Sequence, residues 1–199
     1  MTTTHISVLK NESIDGLNIK DGDVIVDGTL GGGGHTYEII KKFGKGVKVI
    51  GLDLDADAIA RAKKLIGDTP SDVRFFTVGF TAIDEVLAEL GLKNADKILL
   101  DLGISSFQLE ESGRGFSFQK DEPLLMTMKK DINEEDLTAK EIVNTWEEET
   151  LVDIIRGFGE ERYAKKIARG IVLARKEKEI ETTFDLVKII NDSCGRYYK

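Results

Sequence analysis

Cysteine, proline, tryptophan and histidine are all scarce in these 199 residues, with one, two, one and two copies respectively. The lone Cys194 excludes an internal disulfide and a thiolate metal cluster, and it suits a reducing compartment. With only His5 and His35 available, a histidine-built metal centre is disfavoured too, so no metal is expected. So little proline, beside 41% hydrophobic and 32% charged residues, excludes collagen-like and disordered classes. No run approaches the roughly 20 apolar residues of a spanning helix, and the opening MTTTHISVLK has no apolar leader segment. The expectation is a soluble, cytoplasmic globular protein without membrane contact. The length suits one domain, or one with a small appendage, burying about two-thirds of its unfolded surface. A formal net charge of −8 argues against non-specific nucleic-acid binding by the chain as a whole. Internal repeats, low-complexity tracts and obvious linkers are also absent.

What is present is alternation. Short apolar runs at Val24–Val26, Val47–Leu52, Val73–Val78 and Ile98–Leu100 read as strands. The first, second and fourth end in Asp27, Asp53 and Asp101. Between them lie helical patterns stopped by glycine: Ile39, Ile40 and Phe43 before Gly44; Ile59, Ala62 and Ile66 before Gly67; Ile83, Val86, Leu87 and Leu90 before Gly91. Near-continuous apolar strands alternating with helices predict an α/β fold with a parallel sheet covered on both faces. Leu102–Asp131, rich in Gly, Ser and Phe, reads as a long functional loop. Beyond it the pattern is wholly helical. Ile142, Val143 and Trp146, then Leu151, Ile154, Ile155 and Phe158, then Tyr163, Ile167 and Ile171, then Leu186, Ile189 and Ile190 form stripes expected to make a core. These spans predict a domain over 1–132 and a helical one over 133–199. Arg156–Lys178 holds eight basic and three acidic residues, a net of +5 in a chain of −8. A solvated helix face and a phosphate-contacting surface both fit that stretch.

The sharpest local feature is VIVDGTLGGGGH, Val24–His35, where a strand runs through Asp27 into a glycine-rich loop and a helix. Glycines let backbone approach a ligand, and a helix N-terminus favours negative charge, so the loop predicts cofactor binding. The dinucleotide fingerprint G-x-G-x-x-G fails, because counting from Gly31 its third glycine falls on Thr36; a P-loop fails for want of a lysine. Asp53 lies about 20 residues past the loop, where a carboxylate can accept both ribose hydroxyls. Asp55 or Asp57 is placed to cap the next helix. Phe80 can pack on an adenine or simply join the core, and Asp101 stands at the same carboxyl edge of the sheet.

A glycine loop, an acid after strand two, an apolar residue after strand three and an acid after strand four resemble the S-adenosylmethionine-dependent methyltransferases. The longer segments HISVLKNE (His5–Glu12), VDGTLGGGGH (Val26–His35), DLGISSFQLE (Asp101–Glu110), RGFSF (Arg114–Phe118), FGEERYAKKIARGIV (Phe158–Val172) and IETTFDLVKII (Ile180–Ile190) closely resemble the RsmH (MraW) family of bacterial 16S ribosomal RNA cytosine-N4 methyltransferases. The resemblance implies a Rossmann-like, mostly parallel methyltransferase sheet with a small all-α inserted domain. It implies S-adenosyl-L-methionine held by Gly33, Gly34, His35, Asp53, Phe80, Asp101 and Gln108, and 16S ribosomal RNA or the small ribosomal subunit as partner. Asp101, or a backbone carbonyl of Leu102–Ile104, is the candidate to orient the cytosine amine, although the segment reads DLGI where many amino-methyltransferases have D/N/S-P-P-Y/F. Phe107, Phe116 and Phe118 could stack on a base or anchor the loop in the core. His5 is expected to be structural.

The chain departs from the family's pattern in two places. Where the family reads D-G-P-L-D-M-R-M-D, DEPLLMTMKK (Asp121–Lys130) places Leu125 at an acid and Thr127 at an arginine. In the family an H-P-A-T-R-x-F-Q-A-L-R-I segment and further strands follow the helices, and these C-terminal strands are missing here. Ile98–Leu100 reads as a fully buried strand, so its edge is expected to take a homodimer or completing chain. The alternative function is a truncated, inactive module that holds cofactor or RNA without turnover; a dehydrogenase is disfavoured by the failed fingerprint.

Overall fold

The structure, a computed structural model, describes residues 9–133 and 135–195, so His5 lies outside the described residues. Its contacts divide the chain into two units, Met1–Gly103 with Met128–Asp131, and Ile104–Thr127 with Ile132–Lys199. The expected boundary at 132/133 thus shifts, and residues 104–127 pack with the helices that follow them.

The first unit is an α/β layer structure. β1 (Val24–Asp27), β2 (Lys48–Leu52), β3 (Asp72–Phe76) and β4 (Lys97–Leu99) form one parallel sheet in the order β3-β2-β1-β4. Its apolar runs are continuous because successive side chains face opposite layers and both layers are filled. Ile25 and Val49 pack with Ile14 of α1 (Lys10–Gly16) and Ile39 of α2 (Gly34–Phe43), whereas Val26, Ile50 and Leu52 pack with Val86 and Leu87 of α4 (Ile83–Glu89). α3 (Ala56–Ile66) sets Ile59 and Ala62 against Leu30 and Phe75, and is capped by Asp55, whose side chain accepts from the Asp57 amide at 3.0 Å. The third strand stops at Phe76, short of the expected Val78. The fourth is an edge strand, and Ile98 and Leu100 are 48% and 44% exposed. Full burial is therefore corrected: β4 has a sheet neighbour on one side only, and the described residues leave these two side chains half uncovered.

The second unit is helical: α5 (Ser106–Glu110), α6 (Ala139–Thr145), α7 (Glu148–Gly157), α8 (Ala164–Glu177) and α9 (Thr183–Cys194). The stretch expected as loop contains α5, which opens with a reciprocal capping box between Ser105 and Gln108. It also supplies Leu124, 1% exposed, to the core of Val143, Leu151, Ile167, Ile171 and Ile180. Backbone pairing holds it there. The Leu124 amide donates to the Glu181 carbonyl at 2.9 Å, and the Thr183 amide to the Glu122 carbonyl at 3.0 Å. α8 and α9 cross at Gly170, where a Cβ would land on the Ser193 hydroxyl. Arg175 donates to the Val143 and Trp146 carbonyls at 3.0 and 2.7 Å, closing the end of α6. One stripe position differs from expectation. Phe158 follows the last residue of α7 and is 89% exposed, because the chain turns away there through Gly159 and Glu160. No helix among the described residues is long and apolar enough to cross a membrane.

Trp146, the only tryptophan, packs against the helical core, so its fluorescence reports that unit alone. Leu124→Ala is expected to destabilise the Trp146-reported urea transition by about 2–5 kcal/mol, the range for an emptied buried leucine site. Leu102→Ala, at a position 69% exposed, should move it by less than about 0.5 kcal/mol.

Candidate functional site at the carboxyl edge of the sheet

Chain order reverses between β1 and β4: the sheet grows from β1 through β2 to β3, then resumes on the other side of β1. At such a switch point the loops leaving the two strands diverge and open a crevice beyond their carboxyl ends. Gly28 occupies it. Its amide donates to the Leu99 carbonyl at 3.0 Å, and a Cβ would lie 2.6 Å from Leu100 and 3.0 Å from the Phe80 Cβ. A side chain at this position would have to displace Leu100 and crowd Phe80 where the β1 loop leaves between them.

The loop is then tied to each neighbouring strand end. The Thr29 hydroxyl accepts from the Asp101 amide at 2.7 Å, joining the ends of β1 and β4. The Gly31 amide donates to Asp53 Oδ2 at 2.8 Å, and the Leu30 amide to the Leu52 carbonyl at 2.9 Å, joining β1 and β2. Asp53 Oδ1 accepts from the Asp55 amide at 2.9 Å. The glycine run divides its labour. Gly33 caps α2 at φ 82°, and a Cβ there would sit 2.9 Å from Ala62, so its lack of a side chain serves the approach of α3. Gly32 is exposed, and a Cβ would meet nothing within 4 Å; this is where the loop lies open.

Behind the loop lies Asp27, a carboxylate that sequence reasoning noted only as a strand end. It is 1% exposed, accepts from the Thr36 hydroxyl at 2.7 Å and meets the Thr29 amide at 3.4 Å. Burial pushes its carboxyl up to about 6, against the opposing pull of the Thr36 hydroxyl, of His35 and of the Thr29 amide. His35 is buried beside it, and its Nε2 has no partner among the described residues. A buried ring nitrogen without a partner is rare in a folded chain and marks this turn of α2 as distinct from the rest of the core. An acid ending a strand, with a threonine in the next helix to meet it, was the available signal for Asp27.

Of the site residues expected from sequence, Gly33, Asp53 and Asp101 stand on the loops leaving the carboxyl ends of β1, β2 and β4, Gly34 and His35 begin α2, and Phe80 begins the turn that follows β3. Phe80 opens the turn after β3 and is 41% exposed, so it is not a core residue. The Asp101 carboxylate is exposed. Gln108 belongs to the helical unit, where it is buried and its Oε1 accepts from the Ser105 amide at 2.9 Å. Of the three loop phenylalanines, Phe118 stands 74% exposed while Phe107 and Phe116 are partly buried. Among the described residues no cluster of His, Cys, Asp or Glu could hold a metal ion.

Asp27 yields a pH prediction. Its folded value of about 6 lies above the ordinary 3.8, so the native state binds the extra proton and this group's contribution to stability falls as pH rises from about 4 to 6. The full shift corresponds to about 3 kcal/mol. Asp27→Asn removes the buried charge. Thermal unfolding is expected to show the variant gaining on the wild type as pH rises from 4 to 7, with no gain at pH 4. A difference that is flat with pH would refute the assignment.

The profile of the MraW methylase family matches residues 2–199. "Ribosomal RNA small subunit methyltransferase H" of Lachnospira eligens is 48% identical over 193 residues, covering 97% of this chain and 60% of that protein. The protein of the same name from Clostridium botulinum (strain Kyoto / Type A2) is 50% identical over 190 residues, covering 96% of this chain and 60% of its own length. "Ribosomal RNA small subunit methyltransferase H 1" of Acholeplasma laidlawii is 50% identical over 185 residues, 93% of this chain and 59% of that one. The chain thus spans about 60% of the length of the curated relatives it matches. Its four-stranded parallel sheet, flanked by helices, is an α/β methyltransferase fold. The chain belongs to the MraW methylase family.

Proposed function

We propose that this chain is the cofactor-holding part, with part of the substrate-contacting helices, of an S-adenosylmethionine-dependent methyltransferase that modifies N4 of a cytosine in small-subunit ribosomal RNA in the cytoplasm. One observation carries the reading: an open glycine loop, two carboxylates and a half-exposed aromatic converge on one crevice, held in register by the Gly31–Asp53 and Thr29–Asp101 hydrogen bonds. The residues fit the cofactor chemically. Asp53 keeps lone pairs beyond those used by Gly31 and Asp55 and would take the ribose hydroxyls; Phe80 offers a face to the adenine. Gly33, Gly34 and His35 border the first turn of α2, whose free amides and unpartnered His35 Nε2 suit polar groups of the ligand. The resemblance to the family's motifs adds Gln108, a residue of the helical unit, to the proposed set. The bound cofactor supplies an electrophilic methyl on a sulfonium.

The cytosine amine is a weak nucleophile because its lone pair is delocalised into the ring, so orientation has to supply most of the rate. The Asp101 backbone is fixed by Thr29, which leaves its exposed carboxylate aimed from a rigid strand end; it is the group we assign to hold the amine and accept its hydrogen. The base must first leave its stack before its amine can be reached. The half-uncovered edge at Ile98 and Leu100 is where we place a second copy or a completing chain. A second reading, cofactor binding without turnover, is favoured by Leu125 and Thr127, which replace an acid and an arginine of the family's pattern.

Asp53→Asn should weaken S-adenosylmethionine binding in calorimetry by about 10- to 150-fold, the loss of a charge-assisted hydrogen bond, with the amide oxygen keeping only one of the two backbone bonds, from Gly31 or from Asp55. Asp101→Ala should abolish transfer of labelled methyl to small-subunit RNA, read by mass spectrometry. Cofactor binding without any transfer by the wild type would establish the second reading instead.

A further inference from the structure

We propose that the corner between α7 and α8, with the outward face of α8, binds single-stranded RNA: Phe158 offers a stacking face to an unpaired base, and Arg162, Lys165, Lys166 and Arg169 take neighbouring phosphates. This rests on the reading that the chain acts on RNA, and it locates where the strand lies on the helical unit.

Four observations converge. Phe158 is 89% exposed, more than any other large apolar side chain among the described residues. The backbone is strained to present it. Glu160 adopts φ 50°, the left-handed region where a non-glycine residue is uncommon, and a Cβ on Gly159 would stand 2.6 Å from the Ile155 carbonyl oxygen. The corner thus holds an uncommon backbone conformation beside an aromatic that it leaves in water.

The fold also sorts the basic stretch by use. Arg175 is turned inward onto the end of α6, and Lys178 pairs with Asp185 at 3.6 Å. Arg162, Lys165, Lys166 and Arg169 are exposed and form no ion pair among the described residues. Lys165, Lys166 and Arg169 lie in the first two turns of α8, with Lys165 and Arg169 four residues apart, and Arg162 stands just before the helix, four residues after Phe158. Finally, the Arg162 guanidinium and the Lys166 ammonium lie 4.9 and 5.3 Å from the centre of the Tyr163 ring, which holds two flexible cations together at the start of α8.

An exposed aromatic flanked by unpaired cations is the arrangement that reads single strands, since every base has a π face and every linkage a phosphate. A membrane surface fits less well, because the α8 face adds only Leu173 as an exposed large apolar side chain. The remainder of the chain is strongly acidic, which repels RNA elsewhere and steers it to this face.

The test uses the full chain and a fluorescein-labelled 12-nucleotide oligouridylate, with anisotropy titrations at several salt concentrations from 50 to 300 mM KCl. Arg162→Gln/Lys165→Gln/Lys166→Gln/Arg169→Gln should flatten the plot of log affinity against log salt by about 0.7 per charge removed, about 3 in all. Phe158→Ala should weaken binding about 5- to 150-fold with the salt slope unchanged. All these side chains are exposed, so Trp146 fluorescence and melting temperature should match the wild type and exclude misfolding. Wild-type binding that neither variant alters would overturn this surface while leaving RNA as the substrate. No binding by the wild type even at 50 mM KCl would overturn the surface and the RNA reading together. Equal affinity for a polyglutamate peptide, indifferent to Phe158→Ala, would reassign the face to an acidic protein.

Discussion

A carboxylate with almost no access to water sits at the end of the central strand, and the site is assembled around it. Asp27 meets Thr36 in α2 and the amide of Thr29, and the Thr29 hydroxyl in turn fixes the backbone of Asp101 at the end of β4. Desolvation makes this charge expensive, and the threonine hydroxyl, the Thr29 amide and nearby His35 offset only part of that, which is why the group titrates high. The arrangement is sustained because strand, loop and helix are held by the apolar layers above and below it. Breaking it would free the loop whose Thr29 and Gly31 tie the ends of β4 and β2 to β1.

From that framework the division of labour among neighbouring residues follows. Asp53 is exposed enough to reach a ligand, yet uses both oxygens on backbone amides, so the same carboxylate shapes the loop and lines the crevice. Gly33 serves packing against Ala62, Gly28 serves the exit between β1 and β4, and Gly32 alone faces open space. A glycine-rich sequence is thus several separate steric requirements, of which only part concerns a ligand.

The helical unit shows the same economy with charge. Residues of one chemical type within a single stretch do different work: Arg175 terminates a neighbouring helix, whereas Arg162 and Lys166 flank a tyrosine at the surface. Leu124 and Pro123, in a segment without periodic pattern, are drawn in by backbone pairing with Glu181 and Thr182, and this moves the boundary between the units. The capping box at Ser105 and Gln108 similarly gives a local structural duty to a residue whose motif suggested a ligand contact.

The sequence by itself determined the four strands, their order of appearance and the glycine loop, because buried parallel strands must be apolar on both faces and a tight, ligand-facing turn must lack side chains. It also determined the family, through long motifs such as VDGTLGGGGH and FGEERYAKKIARGIV. Burial was decided only in three dimensions. Phe158 belongs to a helical stripe by spacing yet stands in water, since the helix ends one residue before it. Ile98 reads as core yet lies half exposed, since a strand's cover depends on which strands flank it. The protonation of Asp27, too, is a property of its surroundings: the same residue in the same sequence would be an ordinary acid in water, and the fold makes it a proton-linked one.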